Sequence, residues 1–249
     1  MQGQSQQQAY DRGITIFSPD GRLYQVEYAR EAVKRGTASV GIRTPDGVVL
    51  AADRQVSSSL MEPSSVEKIH KADNHVGIAS AGHVADARQL VDLARRRAQG
   101  EQLRYGQTIG VETLTRAVTD HIQEYTQTGG ARPFGVALLV GGIDDGEPRL
   151  FETDPSGTDY EWQAAAIGSN RNEIQEFLEE NYRPDADLES GIELALRALG
   201  AADDEPVDAE NVDLATIDTD DETFQTVSQE RLESIVAEID QPDAEESDE

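Results

Sequence analysis

Apolar residues along this chain follow two different spacings, and the spacing separates predicted helices from predicted strands. Where apolar positions recur every three or four residues, as at Val111, Leu114, Val118 and Ile122, they form one face of a helix. Short runs rich in β-branched residues, bounded by Gly, Pro and Asp, indicate strands. Helices are predicted at 22–35, 84–99, 111–127, 172–182, 188–199 and 229–239. Strands are predicted at 37–43, 48–53, 75–80, 134–143, 149–153, 160–167, 212–217 and 223–227.

The order of these elements predicts the fold class. Strands come in hairpins and helices come in pairs, which argues against a parallel sheet wound by single helices. We expect an α+β protein, a four-layer αββα sandwich in which two antiparallel sheets face each other between outer layers of helices. The expected domain covers residues 14–240. The polar, Gln-rich start at 1–13 and the acidic end at 241–249 lack apolar periodicity and are expected to be flexible and disordered, respectively.

Charge is the strongest compositional signal. The chain has 49 acidic and 21 basic residues, a net charge of −28, so it would repel a nucleic-acid backbone and no nucleic-acid partner is expected. Few lysines are present: Lys34, Lys68 and Lys71. An acidic, lysine-poor surface is typical of a protein that works in concentrated salt, where charges repel only over about 3 Å. We therefore expect a salt-loving source. A mesophilic protein with an acidic surface that avoids partners is the alternative.

Several kinds of chemistry lack the residues that they need. The chain contains no cysteine, which excludes disulfides and thiolate chemistry. It has no apolar run near the ~18 residues of a membrane span and no secretory pattern, so we expect a cytoplasmic protein without a membrane partner. No nucleotide-binding or metalloprotease motif is found, and no cofactor is expected. The four histidines have no ligand spacing, so surface or half-buried positions are expected instead of a metal site: His70, His75, His83 and His121.

One long segment carries a family resemblance. Residues 10–29, YDRGITIFSPDGRLYQVEYA, resemble the N-terminal signature of archaeal proteasome α-subunits. The similarity continues at 67–69, 85–88, 129–135 and 167–169, and covers roughly residues 8–239. It implies the sandwich of the N-terminal-nucleophile hydrolases, which agrees with the fold class predicted from the pattern.

The resemblance also implies a role in a large assembly. Seven α-type subunits would form a ring at each end of a barrel that encloses catalytic β-subunits. An activating AAA ATPase would dock on this ring, and unfolded proteins would pass through it in ATP-dependent degradation without ubiquitin. The implied partners are therefore other α-subunits, β-subunits, the ATPase and unfolded substrates.

Particular residues inherit roles from the resemblance. Residues 1–13 would lie over the pore as a gate, and the alternative is a frayed terminus without a role. The residues matching the cluster that holds the gate open are Tyr10, Asp11, Arg12, Pro19 and Tyr28, although Tyr28 could also pack on a helix face. Lys68 and Gly82 match the pocket that receives the ATPase's C-terminal carboxylate, and the alternative for Lys68 is a solvated strand lysine. The loop that narrows the pore matches Thr128, Gly129, Gly130, Ala131 and Arg132. Relatives often have an aromatic residue at position 128, so a wider or more polar opening is expected.

Thr37 marks the position of the nucleophile in the catalytic relatives. There a threonine hydroxyl is activated by the free α-amine of the same residue. Thr37 is internal, so its nitrogen is an amide, and we expect a subunit without catalysis.

The rival interpretation is a β-subunit precursor that is cleaved before Thr37. Asp53 lies where the catalytic carboxylate would fall, but Ile69 occupies the lysine position. Lys68 is one residue short and would lie on the opposite face of a strand. The helical pattern before Gly36 also argues against a disposable propeptide. A free-standing amidase of this fold would require an exposed nucleophile after processing.

Salt dependence tests the interpretation of the charge. The free energy of unfolding should be higher at about 1 M than at about 0.1 M KCl, because salt screens repulsion among the excess carboxylates. Chemical denaturation at both concentrations measures it. Equal stability in the two buffers would contradict a halophilic design.

Overall fold

Two five-stranded sheets and six helices form the described part of the protein. The computed structural model describes residues 24–54, 58, 60–62, 65–127, 132–201 and 207–239. The helices are α1 (Tyr24–Lys34), α2 (Val84–Tyr105), α3 (Val111–Gln127), α4 (Arg171–Asn181), α5 (Leu188–Gly200) and α6 (Gln229–Ile239). The strands are β1 (Ser39–Thr44), β2 (Gly47–Asp53), β3 (Ile69–Asp73), β4 (Val76–Gly82), β5 (Val136–Asp144), β6 (Glu147–Thr153), β7 (Asp159–Glu161), β8 (Ala164–Ile167), β9 (Val212–Asp218) and β10 (Phe224–Thr226).

Both sheets are antiparallel, as the hairpin pattern predicted. The first has the order β10-β9-β2-β1-β8 and the second the order β3-β4-β5-β6-β7. Helices α4 and α5 pack on the outer face of the first sheet, while α2 and α3 pack on the second. The predicted four-layer αββα class is confirmed.

The central strands β2, β4 and β5 are buried on both faces, which explains their nearly continuous apolar sequences. In β2, Val48 and Leu50 pack between the two sheets, whereas Val49 and Ala51 pack beneath the helices of the first sheet. All four side chains are fully buried. Because successive side chains point to opposite faces of the sheet, β2 contributes to two apolar layers. A third apolar layer lies between the second sheet and helices α2 and α3.

One strand was missed by the sequence prediction. The edge strand β3 contains buried His70 beside Lys71 and Asp73. Its polar sequence does not indicate a strand, although the strand is largely buried. It pairs with β4 and has an irregular register between Lys71 and Asp73.

The predicted single strand at 160–167 is wrong, because it is two strands in different sheets. β7 pairs with β6, whereas β8 pairs with β1. The chain crosses between sheets at two consecutive residues. The Trp162 N–H donates to Leu150 O at 2.9 Å, and Gln163 O accepts from the Arg43 N–H at 2.8 Å. The hydrophobic pattern of the sequence does not reveal this crossing.

Helix α2 is longer than predicted. It continues through Gly100 and ends at Tyr105, giving 22 residues. Within the described residues, no helix combines the length and apolar character required to cross a bilayer. The predicted start at 1–13 and tail at 241–249 lie outside the described residues and stay predictions.

Candidate functional site

Thr37, Asp53 and Lys68 converge where the first strand of the fold begins. The Thr37 hydroxyl donates to the backbone oxygen of Asp53 at 2.7 Å. The Lys68 ammonium donates to the backbone oxygen of Thr37 at 3.2 Å. The lysine therefore contacts the Thr37 carbonyl, and the Thr37 hydroxyl is engaged by a backbone acceptor.

The chain before Thr37 is built into the fold. A Cβ atom on Gly36 would lie only 2.3 Å from the backbone nitrogen of Gly82, so the two glycine backbones touch. Gly82 itself has a φ of 120°, which disfavours any side chain there. The Gly36 N–H donates to Val33 O at 2.9 Å, and the Ser169 N–H donates to Gly36 O at 2.8 Å. This segment links α1 to β1, and its close backbone contact and hydrogen bonds fix its path.

Lys68 is almost completely buried. Its residue is 7% exposed, so the prediction of a solvated lysine as the alternative is wrong. It directly precedes β3, and its side chain turns inward to Thr37, which also contradicts the expectation that it faces away. Burial lowers the pKa of Lys68 to about 8, and the carboxylates of Asp53 and Asp213 partly oppose this effect.

Asp213 and Arg54 belong to this site although the sequence reasoning overlooked them. The Asp213 carboxylate accepts from the Lys68 backbone N–H at 3.1 Å and from Arg54 Nη1 at 3.0 Å. A signal was present in β9: Asp213 shares a strand face with Ala215 and Ile217, which pack between the sheets. An acidic residue in that register indicates a buried polar contact.

Gly82 lies within the same constellation. It touches Gly36, the neighbour of Thr37, and the Thr37 carbonyl in turn accepts from Lys68. The structure thus brings together the two predicted docking residues, Lys68 and Gly82, around one backbone segment.

Tyr28 lies on the outer face of α1. Tyr28 is 64% exposed, whereas Val26 and Ala29 form the buried face of the helix. The packing role offered as an alternative for Tyr28 is therefore wrong within the described chain. Arg30 ties α1 to the turn after β6, because it pairs with Asp154 at 2.7 Å; it also pairs with Glu27 of the same helix at 2.8 Å.

Arg132 forms a two-pronged ion pair with a buried partner. Its Nη1 and Nη2 donate to the two carboxylate oxygens of Asp86 at 2.6 and 2.7 Å. Asp86 also accepts from the Gly135 N–H at 2.8 Å. Burial would raise the pKa of Asp86, but Arg132 and the Gly135 N–H outweigh it and hold the pKa low. Asp86, on α2, therefore holds Arg132 and Gly135 in position ahead of β5.

A cavity of about 370 Å³ lies beneath α1 and beside the start of α4. Four of its charged side chains form two ion pairs, with Arg30 paired to Asp154 and Arg171 paired to Glu152, each at 2.7 Å. Burial raises the pKa of Glu152 despite Arg171. The lining residues do not include Thr37 or Lys68, so the cavity is distinct from the Thr37 site.

Two of the four histidines are more buried than predicted: His70 and His75 are 4% and 5% exposed, so they are core residues. His83 is exposed and His121 is half-buried, as predicted. Among the described residues, no group of three or more potential ligands could hold a metal ion.

Most of the predicted gate and pore residues lie outside the described residues. They are Tyr10, Asp11, Arg12, Pro19, Thr128, Gly129, Gly130 and Ala131.

Comparison with known proteins identifies the family. The family model for the proteasome subunit matches residues 33–217, and the model for the N-terminal signature of A-type proteasome subunits matches residues 10–32. The proteasome alpha subunit of Natronomonas pharaonis is 68% identical, with 100% of both chains aligned. That of Haloquadratum walsbyi is 66% identical over 100% of this chain and 99% of the relative. The alpha 1 subunit of Haloferax volcanii is 68% identical over 94% and 93%. These relatives are haloarchaeal, as the charge predicted, and the chain belongs to the proteasome family, in which it is an α-subunit.

Proposed function

We propose that this α-subunit forms a seven-membered outer ring with other α-subunits and performs no catalysis of its own. The observation that carries this proposal is the built-in path of the chain before Thr37. Helix α1 buries Val26 and Ala29, and the Gly36–Gly82 contact continues that packing up to Thr37. A segment with these contacts is not a disposable propeptide. The Thr37 nitrogen then stays an amide and cannot act as the general base of an N-terminal nucleophile.

The ring would control access to a chamber formed by β-subunits, where cleavage takes place. Residues 1–13 would cover the pore, and Tyr28 would hold them in the open position. Its exposed phenol offers a donor and an acceptor for such a contact. The setting is cytoplasmic, ATP-dependent degradation of unfolded proteins.

An activating ATPase would dock through its C-terminal carboxylate at Lys68 and Gly82. A carboxylate and an ammonium form a charge-assisted pair, and Gly82 is partly exposed. Because Lys68 is only 7% exposed and is bonded to Thr37 O, docking requires the ammonium to turn outward. The incoming carboxylate must also compete with Asp53 and Asp213, whose charges act on Lys68.

Replacing Lys68 tests docking. Lys68→Met in the assembled particle should weaken activator binding by about tenfold to a hundredfold, since a hydrogen bond to a charged group contributes about 1.5–3 kcal/mol. Activator-stimulated peptide hydrolysis, normalised to the unstimulated rate of each particle, measures the effect. Lys71→Met is the matched control, because Lys71 is a nearby exposed lysine on β3. Equal stimulation of the two variants would argue against docking at Lys68.

Replacing Tyr28 tests the gate. Tyr28→Ala should reduce activator-stimulated hydrolysis several-fold, because the open position loses the phenol hydroxyl. Tyr160→Ala removes a similarly exposed tyrosine, 58% against 64%, from strand β7 instead of α1 and should leave stimulation as in the unmodified particle. A Tyr28→Ala particle that opens as well as the Tyr160→Ala particle would remove Tyr28 from the gate.

A further inference from the structure

The Asp213 carboxylate joins three parts of the fold. It projects from β9 of the first sheet and accepts the backbone N–H of Lys68, which precedes β3 of the second sheet. Its other oxygen pairs with Arg54, which follows β2. Arg54 is fixed in turn, because its Nη2 donates to Glu210 O at 2.7 Å. Asp213 therefore has a defined position relative to Lys68.

The charges around Lys68 come from several packed elements. Asp53 at the end of β2 and Asp213 on β9 act on its ammonium. Thr37, before β1, supplies the backbone acceptor, and Ser80 of β4 donates its N–H to Lys68 O at 3.1 Å. The positive charge of Arg54 is paired with Asp213.

Two further titratable side chains, those of Glu67 and His70, lie close to Lys68 in the sequence. Glu67 and His70 lie 3.4 Å apart and pair with each other. The charges that act on the buried ammonium are therefore the two carboxylates of Asp53 and Asp213.

We infer that Asp213 is a positioning residue for the docking lysine, whose ammonium it holds charged and inside the chain until a partner's carboxylate replaces it. This inference rests on the proposed docking at Lys68. Asp213 fixes the backbone of Lys68 directly and its ammonium by charge. Asp213 therefore affects docking in two ways. It sets the pH range in which Lys68 is charged, and its own carboxylate competes with the docking carboxylate.

The two effects of Asp213 have opposite signs, which makes them separable. Its charge favours the ammonium against burial, which lowers the pKa of Lys68 to about 8, so it preserves docking in mildly alkaline solution. The same charge repels an incoming carboxylate, so it weakens docking where Lys68 is fully charged. A purely structural residue would change binding in one direction at every pH.

Asp213→Asn separates charge from shape. Asparagine has nearly the same size and retains an acceptor for the Lys68 N–H. We expect the alkaline midpoint of binding of an activator C-terminal peptide to the assembled particle to move to lower pH. At pH about 8.5 binding should be about fivefold weaker than in the unmodified particle, because less Lys68 is charged. At pH about 7 this loss should shrink or reverse, since the competing charge is gone.

Asp218→Asn is the matched control. Asp218 lies on the same strand, is likewise partly exposed, and is about 17 Å away at the strand's other end. It removes the same charge from the particle and should leave the midpoint unchanged. Asp213→Ser, which also removes the charge, replaces Asp213→Asn if that variant does not fold.

A direct measurement distinguishes the inference from the docking proposal. With three lysines in the chain, ¹³Cε-lysine NMR of the particle gives a spectrum in which Lys68 is identified by its loss in Lys68→Met. A lower Lys68 pKa in Asp213→Asn supports the inference, and an unchanged pKa overturns it. Binding that is equally weaker at every pH would make Asp213 merely structural and also overturn it. If the unmodified particle does not bind the peptide, the docking proposal fails, whatever the NMR titration gives.

Discussion

The contact between Gly36 and Gly82 is the constraint on which the functional account depends. It presses the backbone before β1 against the end of β4, with a space too small for a Cβ atom. In this path the Thr37 nitrogen is part of the peptide bond to Gly36, and the Thr37 hydroxyl donates to the Asp53 backbone oxygen at 2.7 Å. The same contact places Gly82 next to Gly36, whose neighbour Thr37 has a carbonyl that accepts from Lys68.

Burial of one positive charge links the two sheets at this site. Lys68 directly precedes β3 of the second sheet, whereas Asp53 and Asp213 lie on strands of the first. A buried ammonium is costly unless hydrogen-bonded, and here it donates to Thr37 O, while the Lys68 backbone N–H donates to Asp213 of the first sheet. The site is therefore structural in the isolated chain. Function at the same site would require an external carboxylate that exchanges with the internal ones.

Much of the fold could be predicted from the sequence, because buried strands and amphipathic helices leave periodic patterns. The exceptions have physical causes. The edge strand β3 was not predicted because it contains His70, a polar residue that is buried in the structure. At Trp162 the chain changes its hydrogen-bonding partner from one sheet to the other without a change in hydrophobicity. In the site, the resemblance singled out Lys68 and Gly82. Asp213 and Asp86 contact their partners from distant parts of the chain, which local patterns do not encode.

The most direct test of the account is the state of the chain in its native particle. The chain would be purified in concentrated salt, and its intact mass and the particle size would be measured together. We predict an unprocessed chain that begins at residue 1 or 2, within a ring assembly of several hundred kilodaltons. A chain that begins at Thr37, with peptidase activity sensitive to threonine-directed inhibitors, would contradict the account and identify a catalytic subunit.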